Sequence, residues 1–213
     1  MKKIYLVRHG ESEGNVGSLR QGSQTPLSET GEKQAESVTK RFENISIDKI
    51  ISSPQTRAKH TTEAINRVLN KPIEFSDLLI ERKRPSSLIG KHKKDPAVLE
   101  IDEQINKHFH EIEWRHSDEE NFQDLKNRAI QLFKYIETLE EQNILLVTHG
   151  VFMRMIASYI ILGEKLTSHQ YWDFFVTLEV SNTGITILEQ SQFGEEEPRW
   201  HIFTWNDHAH LGE

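Results

Sequence analysis

The apolar run Ile4-Tyr-Leu-Val7 stops at Arg8-His9-Gly10, so a fixed cation and a titratable ring stand where the chain would leave a core. The same dipeptide returns at His149-Gly150, after a second apolar run, Ile144-Leu-Leu-Val147, and Thr148. Open α/β sheets bind ligands beyond the carboxyl ends of their strands, and two such ends side by side would deliver two imidazoles to one rim. A third oddity is Arg57, in the first turn of a helix that Ser53 would cap and Pro54 would open. A cation there opposes the helix dipole unless an anion sits beside it, drawn by the exposed N–H groups of the helix start. Singly these features are ordinary, since His is common at turns, Gly often ends elements and most helix arginines are solvated. Together, two arginines and two histidines on one sheet edge, with no acidic run nearby, describe a pocket for a compact dianion such as a phosphoryl group.

The elements that would position these groups follow from hydrophobic periodicity. Ile4–Val7, Ile50–Ile51 and Ile144–Val147 are short apolar runs of the kind buried in a parallel sheet. Helical spacing lies between them: Ala35, Val38 and Phe42 after the turn signal Ser28-Glu-Thr-Gly31, and Ala58, Ile65, Val68 and Leu69 after Ser53-Pro54. Val98, Ile101, Ile105, Phe109 and Ile112 predict one longer helix, Phe122 to Leu139 a second, and Met153, Ile156, Ala157 and Ile160 a third after Gly150. Val176–Val180 and Gly184–Leu188 read as two strands of a hairpin around Ser181-Asn-Thr183, and Trp200–Trp205 as a further strand. Strand alternating with helix predicts an α/β fold with right-handed crossovers.

Composition narrows the function classes. With 213 residues the chain is long enough for one substantial domain, and no run of 18 apolar residues offers a spanning helix. The formal net charge of -7 disfavours an overall basic nucleic-acid binder. Zero cysteines exclude disulfides, thiolate nucleophiles and cysteine-ligated metals. The apolar stretch before Arg8 is too short for a signal-peptide core, which makes the cytoplasm the expected compartment.

Read as one string, Leu6-Val-Arg-His-Gly-Glu-Ser-Glu-Gly-Asn15 closely resembles the N-terminal signature of the histidine phosphatase superfamily, in the branch that also holds the cofactor-dependent phosphoglycerate mutases. Further pieces match in order: Pro26-Leu-Ser28 with Gly31 and Gln34-Ala35, Ser52-Ser-Pro-Gln-Thr-Arg-Ala58, Leu79-Ile-Glu81, and Val147-Thr-His-Gly150. The resemblance implies a phosphoglycerate mutase-like fold, a three-layer α/β/α sandwich around a mostly parallel sheet. It would form a single domain over residues 1–213, with a helical, basic cap excursion at 82–120. It further implies His9 as covalent phosphoryl acceptor, Arg8, Arg57 and His149 as the rest of the phosphate pocket with Gly150 beside them, Asn15 as a further phosphate contact and Glu81 in the acid position.

The residue types suit that chemistry. Phosphoryl transfer asks mainly for in-line positioning and for neutralisation of the equatorial oxygens. A neutral His9 can attack phosphorus through one ring nitrogen if the other is tied to an acceptor such as a backbone carbonyl, and Gly10 lets the backbone come close. Arg8 and Arg57 grip oxygens with fork geometry, and a protonated His149 would add a donor, against the influence of the arginines and with that of a bound dianion. The scheme needs neither metal nor cofactor. Glu81 is the candidate proton donor to the leaving alkoxide, with Glu11 and Glu13 as alternatives. After Glu81 the family often continues with a Gly, an aromatic and an acidic-Gly pair, whereas here the text is Arg82-Lys-Arg-Pro-Ser-Ser-Leu-Ile-Gly90. Residues 82–94 hold six Lys or Arg and no acid, either a solvated loop or a cap that steers anions to the pocket. His108-x-His110 and His208-x-His210 invite a metal, but no carboxylate completes a ligand spacing. The ending Asn206–Leu211 resembles a C-terminal segment of some family members, with its role left open.

A phosphomonoesterase acting on small anionic phosphate esters is therefore expected, with a small phosphorylated substrate as partner, no nucleic acid and no membrane; a homodimer is left open. The rivals are a phosphoglycerate mutase-type transfer and a non-catalytic phosphate-binding scaffold. The loop Arg20-Gln-Gly-Ser-Gln-Thr-Pro26 lacks the Trp and Asp of the glycolytic mutases, and the cap lacks their Arg-Tyr-Gly stretch. A scaffold would have no need of the nucleophile.

Overall fold

Three apolar runs pair in parallel at the centre of a six-stranded sheet in the computed structural model, which describes residues 1–192, 194 and 197–212. β1 (Lys3–Arg8), β2 (Lys49–Ser52), β3 (Ile73–Phe75), β4 (Asn143–Thr148), β5 (Ile185–Ser191) and β6 (Arg199–Asp207) stand in the order β3-β2-β4-β1-β5-β6. β3, β2, β4 and β1 run parallel to one another, and β5 and β6 complete the sheet antiparallel. Successive side chains of a strand face opposite sides. Ile4, Leu6, Ile144 and Leu146 accordingly enter one core and Tyr5, Val7, Leu145 and Val147 the other.

Helices cover both faces. α2 (Glu29–Phe42) and α3 (Thr56–Leu69) pack Val38, Phe42, Ala58 and Ile65 onto one side, while α5 (Phe122–Thr138), α6 (Gly150–Leu162) and α7 (Ser168–Thr177) close the other with residues such as Leu125, Phe152, Met153 and Tyr171. This is the three-layer α/β arrangement expected from the sequence. The helix starts are marked locally: Ser28 caps Gly31 N at 3.1 Å, and Asn121 with Asp124 and Thr167 with Gln170 form reciprocal capping boxes. The short α1 (Glu13–Val16) follows β1, and α4 (Pro96–Lys107) starts at Asp95 with Pro96 in its first turn.

Three expectations are corrected. Residues 176–180 form no strand: the capping box of Thr167 launches α7, which runs to Thr177. The carbonyls that follow bond to side chains, Leu178 O to Arg154 Nε and Val180 O to Arg8 Nη1. The hairpin is β5 with β6, and β5 takes the free edge of β1. α4 ends at Lys107, so the apolar spacing outlasts the helix: Phe109 turns in against Phe122 and Tyr171, and Ile112 is 56% exposed. α3 begins at Thr56 with Gln55 as its cap residue, not at Ser53-Pro54.

Candidate active site

β1, β4 and β2 end in register, Arg8 opposite Thr148 and Ser52 opposite Val147, so that His9, His149 and Ser53 leave the sheet side by side. The backbone there is pinned from several directions. His9 N donates to Thr148 O at 3.0 Å, Thr183 N to Arg8 O at 3.0 Å, Asn182 Nδ2 to His9 O at 2.9 Å and Gly10 N to Thr61 Oγ1 of α3 at 3.0 Å. Gly10 is needed for this approach, because a Cβ there would lie 2.5 Å from Gly31 O at the start of α2.

His9 Nδ1 lies 2.6 Å from Gly10 O, a contact that makes Nδ1 the donor and leaves Nε2 as the free-base nitrogen. Arg57 Nε donates to that Nε2 at 3.2 Å. The rest of the Arg57 fork donates to Gly22 O at 3.1 Å and to Gln55 Oε1, which fixes the guanidinium beside His9 Nε2. The His149 ring centroid is 4.9 Å from that of His9; its Nε2 pairs with Ser53 Oγ at 2.8 Å, and its Nδ1 is buried without a hydrogen-bond partner among the described residues. Arg8 Nη1 donates to Val180 O at 2.5 Å, while its Nε is buried with no partner among the described residues, 3.3 Å from where a Cβ on Gly150 would sit. A buried donor without an acceptor is costly, so Arg8 Nε marks a place that suits an anion, joined by His149 Nδ1 in the tautomer in which Ser53 Oγ donates to His149 Nε2.

The electrostatics follow from burial. Both imidazoles are held well below the ordinary histidine range, first by burial and then by charge: Arg57 and Arg8 act on His9, while the competing ring of His9 and the cations Arg57, Arg128 and Arg8 act on His149. Arg57 is pulled down to about 10 by burial, against the favourable influence of Glu81, and remains a cation at neutral pH.

Glu81 is placed by the start of α6. Its carboxylate accepts Val151 N at 3.2 Å and Phe152 N at 3.3 Å, together with Arg82 N at 2.8 Å. Thr148 Oγ1 to Leu79 O and Arg128 Nη1 to Ile80 O tie the preceding segment to β4 and α5. Above these groups opens a cavity of about 440 Å³ with Arg57, Glu81 and Asn15 in its lining. Arg8, His9 and His149 are not among its lining residues: the two histidines are 2% and 0% exposed, and His9 meets the lining through Arg57. Asn15 reaches the cavity from α1, where its Oδ1 also accepts Ser12 N at 3.0 Å. Glu11 bonds Ser28 Oγ at 2.6 Å and, like Glu13, does not line this cavity.

The basic segment is built into the cavity wall. Arg82, Lys83, Arg84 and Lys93 line the cavity; Lys93 Nζ donates to Gly14 O at 2.8 Å and to Gly17 O at 2.7 Å, while Lys91 and Lys94 are exposed. The paired histidines turn to other partners: His108 to Glu111, His110 to Ser168, His210 Nε2 to Thr183 Oγ1 and His208 to Asn206 O. The C-terminal segment thereby braces the loop behind His9, and Asp207 pairs with Arg41 of α2. Sequence reasoning missed Ser53 as the partner of His149, because Ser-Pro before a helix reads as a cap. It missed Asn182 and Thr183 because Ser-Asn-Thr reads as a hairpin turn.

Residues 4–208 match the model of the histidine phosphatase superfamily (branch 1), and the chain belongs to that family. Among its relatives, the "Uncharacterized phosphatase PhoE" of Bacillus subtilis (strain 168) is 28% identical over 99% of this chain and 97% of its own length. The "Probable phosphoglycerate mutase GpmB" of Citrobacter koseri is 29% identical over 99% of this chain and 95% of its own. The structure of Bacillus stearothermophilus YhfR superposes with a TM-score of 0.83 at 25% identity, covering 99% of this chain and all (100%) of that one.

Proposed function

We propose that this chain is a phosphomonoesterase that hydrolyses small anionic phosphate esters through a phosphohistidine on His9. The observation that carries the proposal is the Nδ1 contact of His9 to Gly10 O at 2.6 Å, which presents Nε2 as the nucleophile between Arg8, Arg57 and His149. On substrate entry the Arg57 Nε bond to His9 Nε2 gives way to phosphoryl oxygens, and Nε2 takes the in-line position. The N–P bond forms as the ester P–O bond breaks with its electron pair on the leaving oxygen, which takes a proton from Glu81, a residue that must enter this step as the neutral acid and leave it as the carboxylate. Arg8 Nε, Arg57, His149 Nδ1 and Asn15 hold the equatorial oxygens beside the start of α6 at Gly150. Water then attacks the phosphohistidine, its proton passes to the Glu81 carboxylate, and inorganic phosphate leaves with His9 restored. Residues 82–120 act as the cap over this chemistry.

Hydrolysis and mutase transfer share the first step and part at the second, where either water or a bound acid phosphate accepts the group. A panel of phosphomonoesters, together with 3-phosphoglycerate primed by 2,3-bisphosphoglycerate, separates them. Free phosphate without isomerised product is expected. Isomerisation without phosphate release would assign the chain to transfer instead.

A further inference from the structure

His9, His149 and Ser53 leave the sheet from strand ends, but Glu81 has no such platform. It lies past a single 3₁₀ turn, Asp77–Leu79, on a stretch that forms neither strand nor helix as far as Pro85. A buried ion pair holds that stretch instead. Arg128 of α5, 8% exposed, sets Nε against Glu120 Oε1 at 2.9 Å and Nη2 against Glu120 Oε2 at 2.8 Å, a bidentate fork. Its remaining nitrogen, Nη1, donates to Leu78 O at 3.2 Å and to Ile80 O at 2.7 Å, just before Glu81. Glu120 holds the chain just after it: Oε2 accepts Lys83 N at 2.9 Å, the backbone N donates to Lys83 O at 3.1 Å, and the backbone O accepts Arg82 Nε at 3.0 Å. The pair thus grips both sides of Glu81. It also touches what binds the carboxylate, because the Arg128 guanidinium lies over the Phe152 ring, 4.0 Å from its centre, and Phe152 N donates to Glu81 Oε1 at 3.3 Å.

Building on the phosphomonoesterase reading, we infer that Arg128 and Glu120 are positioning residues for the proposed proton donor: the pair fixes where the Glu81 carboxyl stands at the start of α6, and hence how it faces the leaving oxygen. Neither residue lines the cavity, so the pair meets the reaction through the segment it holds. A planar guanidinium can serve one carboxylate and two carbonyls from opposite edges, whereas the donors of a lysine radiate from one point and cannot span them. A buried pair carries a desolvation cost that apolar packing would avoid, and the bonds to residues 78, 80, 82 and 83 are what this pair supplies in return.

The test uses Arg128→Lys, which keeps the charge and loses the fork, and Glu120→Gln, which keeps the shape and loses the charge, with thermal melts confirming that each is folded. The rate of phosphohistidine formation is measured on alkyl phosphates and on aryl phosphates of acidic phenols. Each variant is expected to lose roughly 10- to 10²-fold on the alkyl esters and far less on the aryl ones. Combined with Glu81→Gln, either change should add little on alkyl esters, since both remove the same contribution. Equal losses on the two ester types, no loss in either variant, or losses that add in full to that of Glu81→Gln would overturn the inference. A second readout needs no turnover. Val151 N and Phe152 N donate to Glu81, so their amide shifts in ¹H–¹⁵N spectra follow the titration of its carboxyl and lose that response in Glu81→Gln. Arg128→Lys and Glu120→Gln should shrink the response, and a response unchanged in both would overturn the inference. Should no ester form phosphohistidine, or should Glu81→Gln leave the leaving-group dependence as it is, the hydrolase reading or the acid role of Glu81 fails by itself, and the amide response alone decides whether the pair positions the carboxyl.

Discussion

His9 and His149 are packed against arginines with almost no access to water, and both are neutral well below the ordinary histidine range. For His9 this keeps the lone pair that the proposed mechanism uses available at neutral pH. In the proposed mechanism, with Ser53 Oγ donating to Nε2, His149 would offer a neutral Nδ1–H to a phosphoryl oxygen until a dianion arrives. The same shifts make stability depend on pH. Each ring stays neutral in the native state while the unfolded chain protonates near the ordinary value of 6.5, so the unfolded state binds more protons below that point. Stability contributed by the pair is complete above about pH 6.5 and falls on acidification, by up to about 1.4 kcal/mol per pH unit for each histidine. Thermal melts between pH 5 and 8 should show this decline, and His149→Gln should flatten it; a slope unchanged in the variant would place the acid sensitivity elsewhere. At this scale the sequence was informative for a physical reason: a charged or titratable residue directly after a buried run, as in Val7-Arg-His-Gly10, must stand at a sheet edge. Ser53 was not legible, because its hydroxyl serves His149 across 96 positions of sequence, a contact that no local pattern encodes.

Elements decide which groups meet. The ends of β1, β4 and β2 align because parallel pairing fixes their register, and each run was apolar enough to be recognised as buried. Where tertiary demands overrode local pattern, reading failed: 176–180 is rich in β-formers, yet its carbonyls go to Arg8 and Arg154 and no strand forms. The start of α6 matters most for the proposed proton donor. Its first N–H groups bind the Glu81 carboxylate, which holds the side chain in the cavity lining. Replacement by glutamine keeps one oxygen acceptor and removes the transferable proton, so Glu81→Gln tests chemistry with little change of shape. Alkyl phosphates, whose leaving oxygens need the proton, should lose roughly 10²–10⁴-fold in the rate of phosphohistidine formation, and aryl phosphates of acidic phenols far less. A leaving-group plot that is parallel in wild type and variant would remove Glu81 from that role.

On the scale of the whole molecule, a chain of net charge -7 concentrates arginines and lysines around one cavity, so its field at that mouth is opposite in sign to its overall charge. Among the described residues no helix is long and apolar enough to cross a membrane. The family was legible because its motifs lie at element boundaries along most of the chain, and the match over residues 4–208 agrees with them. The wall was not, because the Arg20–Asp102–Arg84 cluster joins three segments whose spacing carries no motif. Everything proposed about the reaction depends on a covalent bond between phosphorus and His9. Rapid quenching of the wild-type protein with ³²P-labelled phosphate ester, followed by peptide mapping, measures that bond directly. An acid-labile, alkali-stable label on His9, absent from His9→Ala together with activity, is the expected result; label retained in His9→Ala, or turnover near wild type in that variant, would contradict it.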